Sequence, residues 1–216
     1  MENDFDEYAI RNCGQVFGEL PKLTGARRRW YYDLDTDYGE IKRELGKFEA
    51  LKEPLRVGGG IRILRQDFRV VVVSFIISAN NNIKRFSKTI AQIDFANLGA
   101  YTADDWRRMG CGYRADYLVE AVRQIGGMDV KELAKFGDAE LIKRLMTIKG
   151  VGRKVASCIA LFCGEFHRLG VAPVDTWIRK AIAELGGVAG EILSHRYAGV
   201  AQQYIFYYKQ HLGKKL

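Results

Sequence analysis

Proline is scarce in this chain, at three in 216 residues. Long stretches therefore run without the residue that most often ends a helix, and a polyproline or collagen-like architecture is excluded. Four cysteines (Cys13, Cys111, Cys158, Cys163) are scattered without a disulfide or zinc-clip spacing. Free thiols of this kind fit a reducing compartment. No long apolar run is present. Val70 to Ala79 is interrupted by Ser74 and Ser78 and falls well short of the ~20 residues a membrane helix needs. The first residues carry Glu2, Asp4, Asp6 and Glu7, the opposite of a signal peptide's basic start. No period repeats. These absences argue against a disulfide-stapled secreted scaffold, a membrane-spanning protein and a repeat array.

What is present is a substantial apolar fraction, 48 % of residues, and a basic excess of +8. The first supports one domain or two closely packed lobes. The second favours a polyanionic partner, although solubility alone also explains a net charge of this size. The charge is unevenly spread. Asp33, Asp35 and Asp37 add to the acidic start, so the remainder is more basic than the total. Arg27-Arg28-Arg29, Arg107-Arg108, Lys143-Arg144 and Lys214-Lys215 form clusters.

The pattern along the chain is mainly α. Residues 1–35 read as a short irregular region with some strand. Residues 36–56 read as a helix capped by Thr36, with Tyr38, Ile41, Leu45 and Phe48 at helical spacing. Residues 66–78 fit a buried strand by propensity and a buried helix by context; the helical surroundings favour helix. Further helices are expected over 83–93, 102–109 with Thr102 as cap, 114–125, 130–136, 138–146, 153–167, 176–185 and roughly 190–212.

Between two of these helices lies Lys149-Gly150-Val151-Gly152-Arg153-Lys154. Helix, tight glycine turn, helix is the layout of a helix-hairpin-helix. The glycines permit backbone angles closed to other residues, and the second helix start offers N–H groups and a positive dipole end to a phosphate. Such a turn grips backbone and reads no sequence. Lys154 has two readings, a further phosphate contact or an amine nucleophile beside a helix N-terminus. A second hairpin helix of roughly 15 residues would be ~22 Å long. Arg168 to Val174 can span ~23 Å extended, enough to carry Asp175 back towards Lys154. Asp175 can equally cap the helix that starts at Thr176.

Leu145-x-x-Ile148-Lys149-Gly150-Val151-Gly152-Arg153-Lys154-Val155-Ala156, followed by Val171-Ala172-Pro173-Val174-Asp175, resembles the helix-hairpin-helix base-excision DNA glycosylases. Within them the chain is similar to the 8-oxoguanine DNA glycosylases. The discriminating segments are Gly60-Ile61-Arg62-Ile63-Leu64-Arg65-Gln66-Asp67, Ser74-Phe75-Ile76, Asn80-Asn81-Asn82-Ile83-Lys84-Arg85 and Gly112-Tyr113-Arg114-Ala115. The resemblance covers about residue 35 to the C-terminus. It implies a shortened N-terminal region (1–35) followed by a helical core (36–216, hairpin at 138–167). It also implies two helical lobes with an active-site cleft between them and little or no N-terminal sheet.

The roles it implies are these. Lys154 attacks the deoxyribose anomeric carbon, expels the base and forms a Schiff base, after which β-elimination can nick the strand. Asp175 supports the developing positive charge and the proton transfers. The target base is flipped out of the stack, and Tyr113 wedges into the gap. Asn80, Arg85 and Arg114 bond the abandoned cytosine. Lys149, Gly150, Gly152 and Arg153 hold the DNA backbone. Gln202 bonds the flipped base, Phe206 stacks on it, and Cys158 forms the opposite wall.

Cys13-Gly14-Gln15-Val16-Phe17 resembles the family's N-terminal motif, in which the glycine carbonyl accepts a hydrogen bond from N7–H of the oxidised base. Normal guanine offers an acceptor there, a mismatch of about 1–3 kcal/mol. Two departures stand out. Only a short run separates Phe17 from Trp30, where better-known relatives insert an antiparallel sheet. Trp177 follows Asp175 where many relatives place a histidine that helps hold the flipped nucleotide.

The reading is therefore an 8-oxoguanine DNA glycosylase/AP lyase. Its expected partner is double-stranded DNA containing oxidised guanine opposite cytosine. No cofactor, metal or membrane is expected, and the chain is expected to act as a monomer. The expected location is the cytoplasm, nucleoid-associated, in a prokaryote, or the nucleus in a eukaryote. Two alternatives stay open, a pyrimidine-directed glycosylase/lyase of the same superfamily and a non-catalytic hairpin DNA-binding module. The pyrimidine-directed relatives usually carry a four-cysteine iron–sulfur loop near the C-terminus, which this sequence lacks.

Overall fold

The computed structural model describes residues 4–79 and 83–212, without the side chains of Ile83, Lys84, Trp177 and Leu212. The described residues are helical or irregular and include no strand, only one isolated parallel bridge between Gln66 and Cys163. The chain divides into two units. One comprises residues 1–16, 20–65 and 167–216, the other residues 17–19 and 66–166.

In the first unit, α1 (Glu7–Asn12), α2 (Gly25–Tyr31), α3 (Tyr38–Leu45) and α4 (Lys52–Val57) are all short. Residues 1–35 were expected to be irregular with some strand; they carry two helices instead. Asp6 caps α1 by accepting from the Ala9 amide at 3.0 Å. Ile10 of α1 packs with Leu20, Tyr32 and Leu64, and Phe5, Val16, Tyr31 and Leu34 cover that cluster. The N-terminal region thus buries apolar surface of its own and needs no sheet to do so.

The expected single helix over 36–56 is two helices. Asp37, not Thr36, caps α3 through the Glu40 amide, and Gly46 ends it. The Thr36 hydroxyl turns back to Asp33 at 2.9 Å.

The second unit begins with α5 (Phe68–Ser78), capped by Asp67. Its valine run has poor helix propensity, yet all but Arg69, Val70 and Ser78 are buried. A helix buried on nearly every side shows no amphipathic period, which is why the sequence left strand and helix open. α6 (Ile83–Ile90), α7 (Ala103–Arg108), α8 (Arg114–Gly126) and α9 (Val130–Leu133) follow. Thr102 caps α7 as expected, in a reciprocal capping box with Asp105.

The hairpin is α10 (Asp138–Leu145) and α11 (Arg153–Phe162). α11 stops five residues before the expected His167, because Cys163 is extended and bridges to Gln66. Back in the first unit come α12 (Thr176–Ala183), α13 (Ala189–Ser194) and α14 (Ala198–Leu212). The expected helix over 190–212 is therefore broken, at the extended His195. Among the described residues no helix is long and apolar enough to cross a membrane. All four cysteines are buried without forming a disulfide.

The chain leaves the first unit after Arg65 and returns at His167. Both residues meet Asp33. Arg65 donates to one Asp33 oxygen from Nε and Nη2 at 3.1 and 3.0 Å. Thr36 shares that oxygen, and Tyr38 donates to the other at 3.1 Å. His167 Nε2 lies 3.6 Å from Asp33 Oδ2 and 3.1 Å from the Ile63 carbonyl. Both Asp33 and His167 hold positive φ, +51° and +46°, which non-glycine residues adopt only when their surroundings hold them there.

Asp33 is the centre of this network, so Asp33→Ala should destabilise the protein by about 2–4 kcal/mol. A chemical-denaturation midpoint measures it. Burial is the main influence on the His167 imidazole and lowers its pKa; the Asp33 carboxylate opposes this and Arg65 adds to it. The unfolded chain therefore binds the proton more readily, so this stability is fully present above about pH 6.5 and is lost below it. Asparagine tolerates positive φ. His167→Asn should accordingly flatten the fall in denaturation midpoint between pH 7 and pH 5.

Candidate functional site

In the second unit, the hairpin turn forms because Gly150 has φ +82° and no side chain. A Cβ there would lie 3.2 Å from the Tyr117 Cβ and 3.4 Å from the Ile76 Cγ2. Both the angle and the space select glycine. Gln124 of α8 braces the same turn. Its Oε1 accepts from the Lys149 amide at 2.8 Å, and its Nε2 donates to the Thr147 carbonyl at 3.5 Å. Nothing in the sequence marked Gln124, because it sits on a regular helix and acts through backbone.

Gly152 caps α11 with no side-chain acceptor, and Gly152 and Arg153 are exposed. The first turn of α11 thus faces solvent with its N–H end. Lys154 is the second residue of that turn and is half-buried. Its Nζ stands 5.2 Å from the centre of the Phe75 ring. Cys158, one turn further on, is buried. The glycine turn therefore sets an amine on an apolar, aromatic floor.

Beside the turn, Lys149 Nζ lies 5.2 Å over the Tyr117 ring. Tyr117 meets Tyr113 edge-on at 6.0 Å. Tyr113 is 62 % exposed, so it is no core aromatic. It stands at the start of α8 after the two turn glycines Gly110 (φ +88°) and Gly112 (φ +56°). The Arg114 guanidinium covers its ring at 4.5 Å and also donates to the Ala79 carbonyl. Arg85 is exposed, with Nη2 3.4 Å from the Gly110 carbonyl. Tyr113, Arg114, Arg85, Lys149, Gly150, Gly152, Arg153, Lys154 and Cys158 therefore all belong to one unit. Asn80 lies outside the described residues.

Gly14, Gln202, Phe206 and Asp175 belong to the first unit. Gly14 has φ +78°, and a Cβ on it would fall 2.8 Å from Phe206 Cε1. Despite the short N-terminal region, Gly14 lies directly against Phe206. Gln15 fixes the segment. Its Nε2 donates to the Arg62 carbonyl at 2.7 Å and to Cys13 Sγ at 3.0 Å, and its Oε1 accepts from the Leu64 amide at 2.8 Å. Burial pushes the Cys13 thiol up to about 12; it stays protonated and faces the Ile10 carbonyl at 3.2 Å.

Gln202 is buried on α14, one turn before Phe206, and its Oε1 accepts from Gln203 Nε2 at 2.9 Å. Phe206 is only partly buried, although its neighbours Ile205 and Tyr207 are buried. Asp175 caps α12, accepting from the Ile178 amide at 2.8 Å. Trp177 lies on α12, and its side chain is outside the described residues. Among the described residues no group of three or more histidine, cysteine or acidic side chains could hold a metal ion.

No known family profile matches the chain. It is 30 % identical to N-glycosylase/DNA lyase OGG1 of Arabidopsis thaliana, over 82 % of this chain and 54 % of that protein. The chain spans about half, or less, of the length of the curated relatives it matches. The apo form of Clostridium acetobutylicum 8-oxoguanine glycosylase/lyase superposes with a TM-score of 0.82 at 30 % identity, covering 95 % of this chain and 93 % of that one. The same protein bound to double-stranded DNA with cytosine opposite 8-oxoguanine superposes at 0.83 and 29 % identity, covering 98 % and 93 %.

The contact between Gly14 and Phe206 gives a direct test. Gly14→Ala meets both an unfavourable φ and the ring, and should cost about 1–2 kcal/mol of stability. The cost should shrink in a Phe206→Leu background, where the ring edge is gone; strictly additive effects would mean that the two residues do not touch.

Proposed function

Since the chain belongs to the helix-hairpin-helix 8-oxoguanine glycosylase/lyase family, we propose that it excises 8-oxoguanine paired with cytosine from double-stranded DNA and then nicks the strand at the abasic site. The carrying observation is the position of Lys154. It is an amine in the first turn of the hairpin's second helix, immediately after the solvent-facing glycine turn and over an apolar floor. Backbone amides can hold a phosphate while the amine beside them reacts with the attached sugar.

The Lys154 lone pair forms a bond to C1′, and the bonding pair of the glycosidic bond leaves with the base, which takes up a proton. Nitrogen loses a proton, the bond from C1′ to the ring oxygen breaks with its electron pair going to that oxygen, which takes up a proton, and a cationic imine remains. Loss of a proton from C2′ then expels the 3′ phosphate. Asp175, held by its hydrogen bond to the Ile178 amide, supplies the carboxylate that supports positive charge at the sugar and moves protons. Tyr113 is exposed at a helix start and fills the space the base leaves. Arg114 and Arg85 serve the unpaired cytosine, with Asn80. Gly14, Phe206, Gln202, Trp177 and Cys158 receive the flipped base. The enzyme acts as a monomer and needs no cofactor. It works where the genome is, in the cytoplasm of a prokaryote or the nucleus of a eukaryote.

Borohydride should trap the protein on an 8-oxoguanine:cytosine duplex, and Lys154→Gln should abolish the adduct while DNA binding persists. Binding without trapping by the wild-type protein would favour a hairpin module without catalysis. Trapping confined to oxidised-pyrimidine duplexes would favour the pyrimidine-directed reading. Tyr113→Ala should lower the single-turnover excision rate about tenfold or more, with salt-dependent backbone binding largely retained. Unchanged turnover would remove Tyr113 from the flipping step.

A further inference from the structure

Phe75 lies in the middle of α5 and is 3 % exposed. On the same helix, Val72, Val73, Ser74, Ile76 and Ile77 are buried with it. The ring is held on two sides. Phe162 of α11 stacks on it at 5.4 Å with an interplanar angle of 12°, and Phe17 meets it edge-on at 5.3 Å. Phe86 packs edge-on against Phe17 at 4.7 Å. The ring is thus packed between aromatic neighbours. What its face meets is Lys154 Nζ at 5.2 Å.

We propose that Phe75 is a positioning residue for the lysine nucleophile, its ring face holding Nζ in place and favouring the cationic imine that forms on it. The inference rests on the reaction proposed for Lys154. Lysine is a long, flexible side chain whose ordering costs rotamer freedom. The negative face of an aromatic ring attracts an ammonium within about 6 Å of its centre, more strongly where water is excluded. The imine nitrogen carries positive charge, and the ring face favours that state. The neutral amine that attacks is released from the attraction but stays over the same floor. Phe162 lies on the lysine's own helix, so α11 both carries the amine and fixes the ring that receives it.

The test separates ring electrostatics from packing. A duplex with a preformed abasic site bypasses base recognition and reports imine formation and strand nicking. Phe75→Leu should slow single-turnover nicking about 5- to 30-fold, and the borohydride-trapped fraction should fall in parallel. DNA affinity should stay within about twofold. Phe75→Tyr, which keeps the face, should retain most of the rate.

Fluorinated phenylalanines placed at position 75 keep the shape while draining the face. The rate should fall stepwise with each added fluorine, and the pentafluoro ring should be slowest. A flat fluorine series overturns the inference, even if the leucine variant misfolds. A leucine variant with the wild-type rate overturns it as well. Failure of the wild-type protein to be trapped on the abasic duplex would instead remove the underlying reaction, which keeps the two outcomes distinct.

Discussion

The geometry of the proposed reactive site depends on a backbone angle at one residue. Gly150 sits at φ +82° with Tyr117 and Ile76 so close that a methyl group would crowd both. The turn closes there. Closing it starts α11 at Arg153, and that start fixes which side chain falls in the first helical turn. Lys154 is the result, and its amine comes to rest on Phe75. Gln124 holds the turn from the far side through two backbone groups. The same turn exposes helix N–H groups suited to a phosphate. In the proposed reaction, grip on the DNA backbone and attack on its sugar are both assigned to this one short segment.

In the other unit, Asp33 plays a comparable architectural role. It accepts from Thr36, Tyr38 and Arg65 and lies beside His167. Those contacts hold the residue at which the chain departs and the one at which it returns. Two backbone positions at positive φ without glycine show that this arrangement is kept against local preference, as happens where surrounding contacts over-determine a conformation. The Gly14 and Gln15 segment is tied to the same crossing chain, through Arg62 and Leu64. The glycine that faces Phe206 is thus fixed by side chains, without a supporting sheet.

Much of the fold was legible in the sequence because its signals are local. Thr102 and the hairpin glycines each name an element from within it. Failures came where neighbouring polar groups compete for one role or where distant contacts decide. Thr36 offered a hydroxyl cap, but Asp33 draws that hydroxyl away and Asp37 takes its place. α11 ends at Phe162 because Cys163 pairs with Gln66, a residue far away in sequence. The two short helices within residues 1–35 were missed because the cluster they pack in also draws on Leu20 and Leu64, which lie outside both helices. The candidate site divides in the same way. Lys154, Tyr113 and Gly14 carry turn or cap signals. Gln124, Gln15 and Phe75 act through partners that only the folded chain brings to them, and no spacing in the sequence announces such partners.

The proposed chemistry requires one amine, that of Lys154, to be the reacting group. Mass-spectrometric mapping of the borohydride-reduced adduct tests this most directly, by locating the sugar remnant on the peptide chain. The remnant is predicted on the side chain of Lys154, at the start of α11. A remnant on Lys149, on the N-terminal amine or on any other lysine would contradict it.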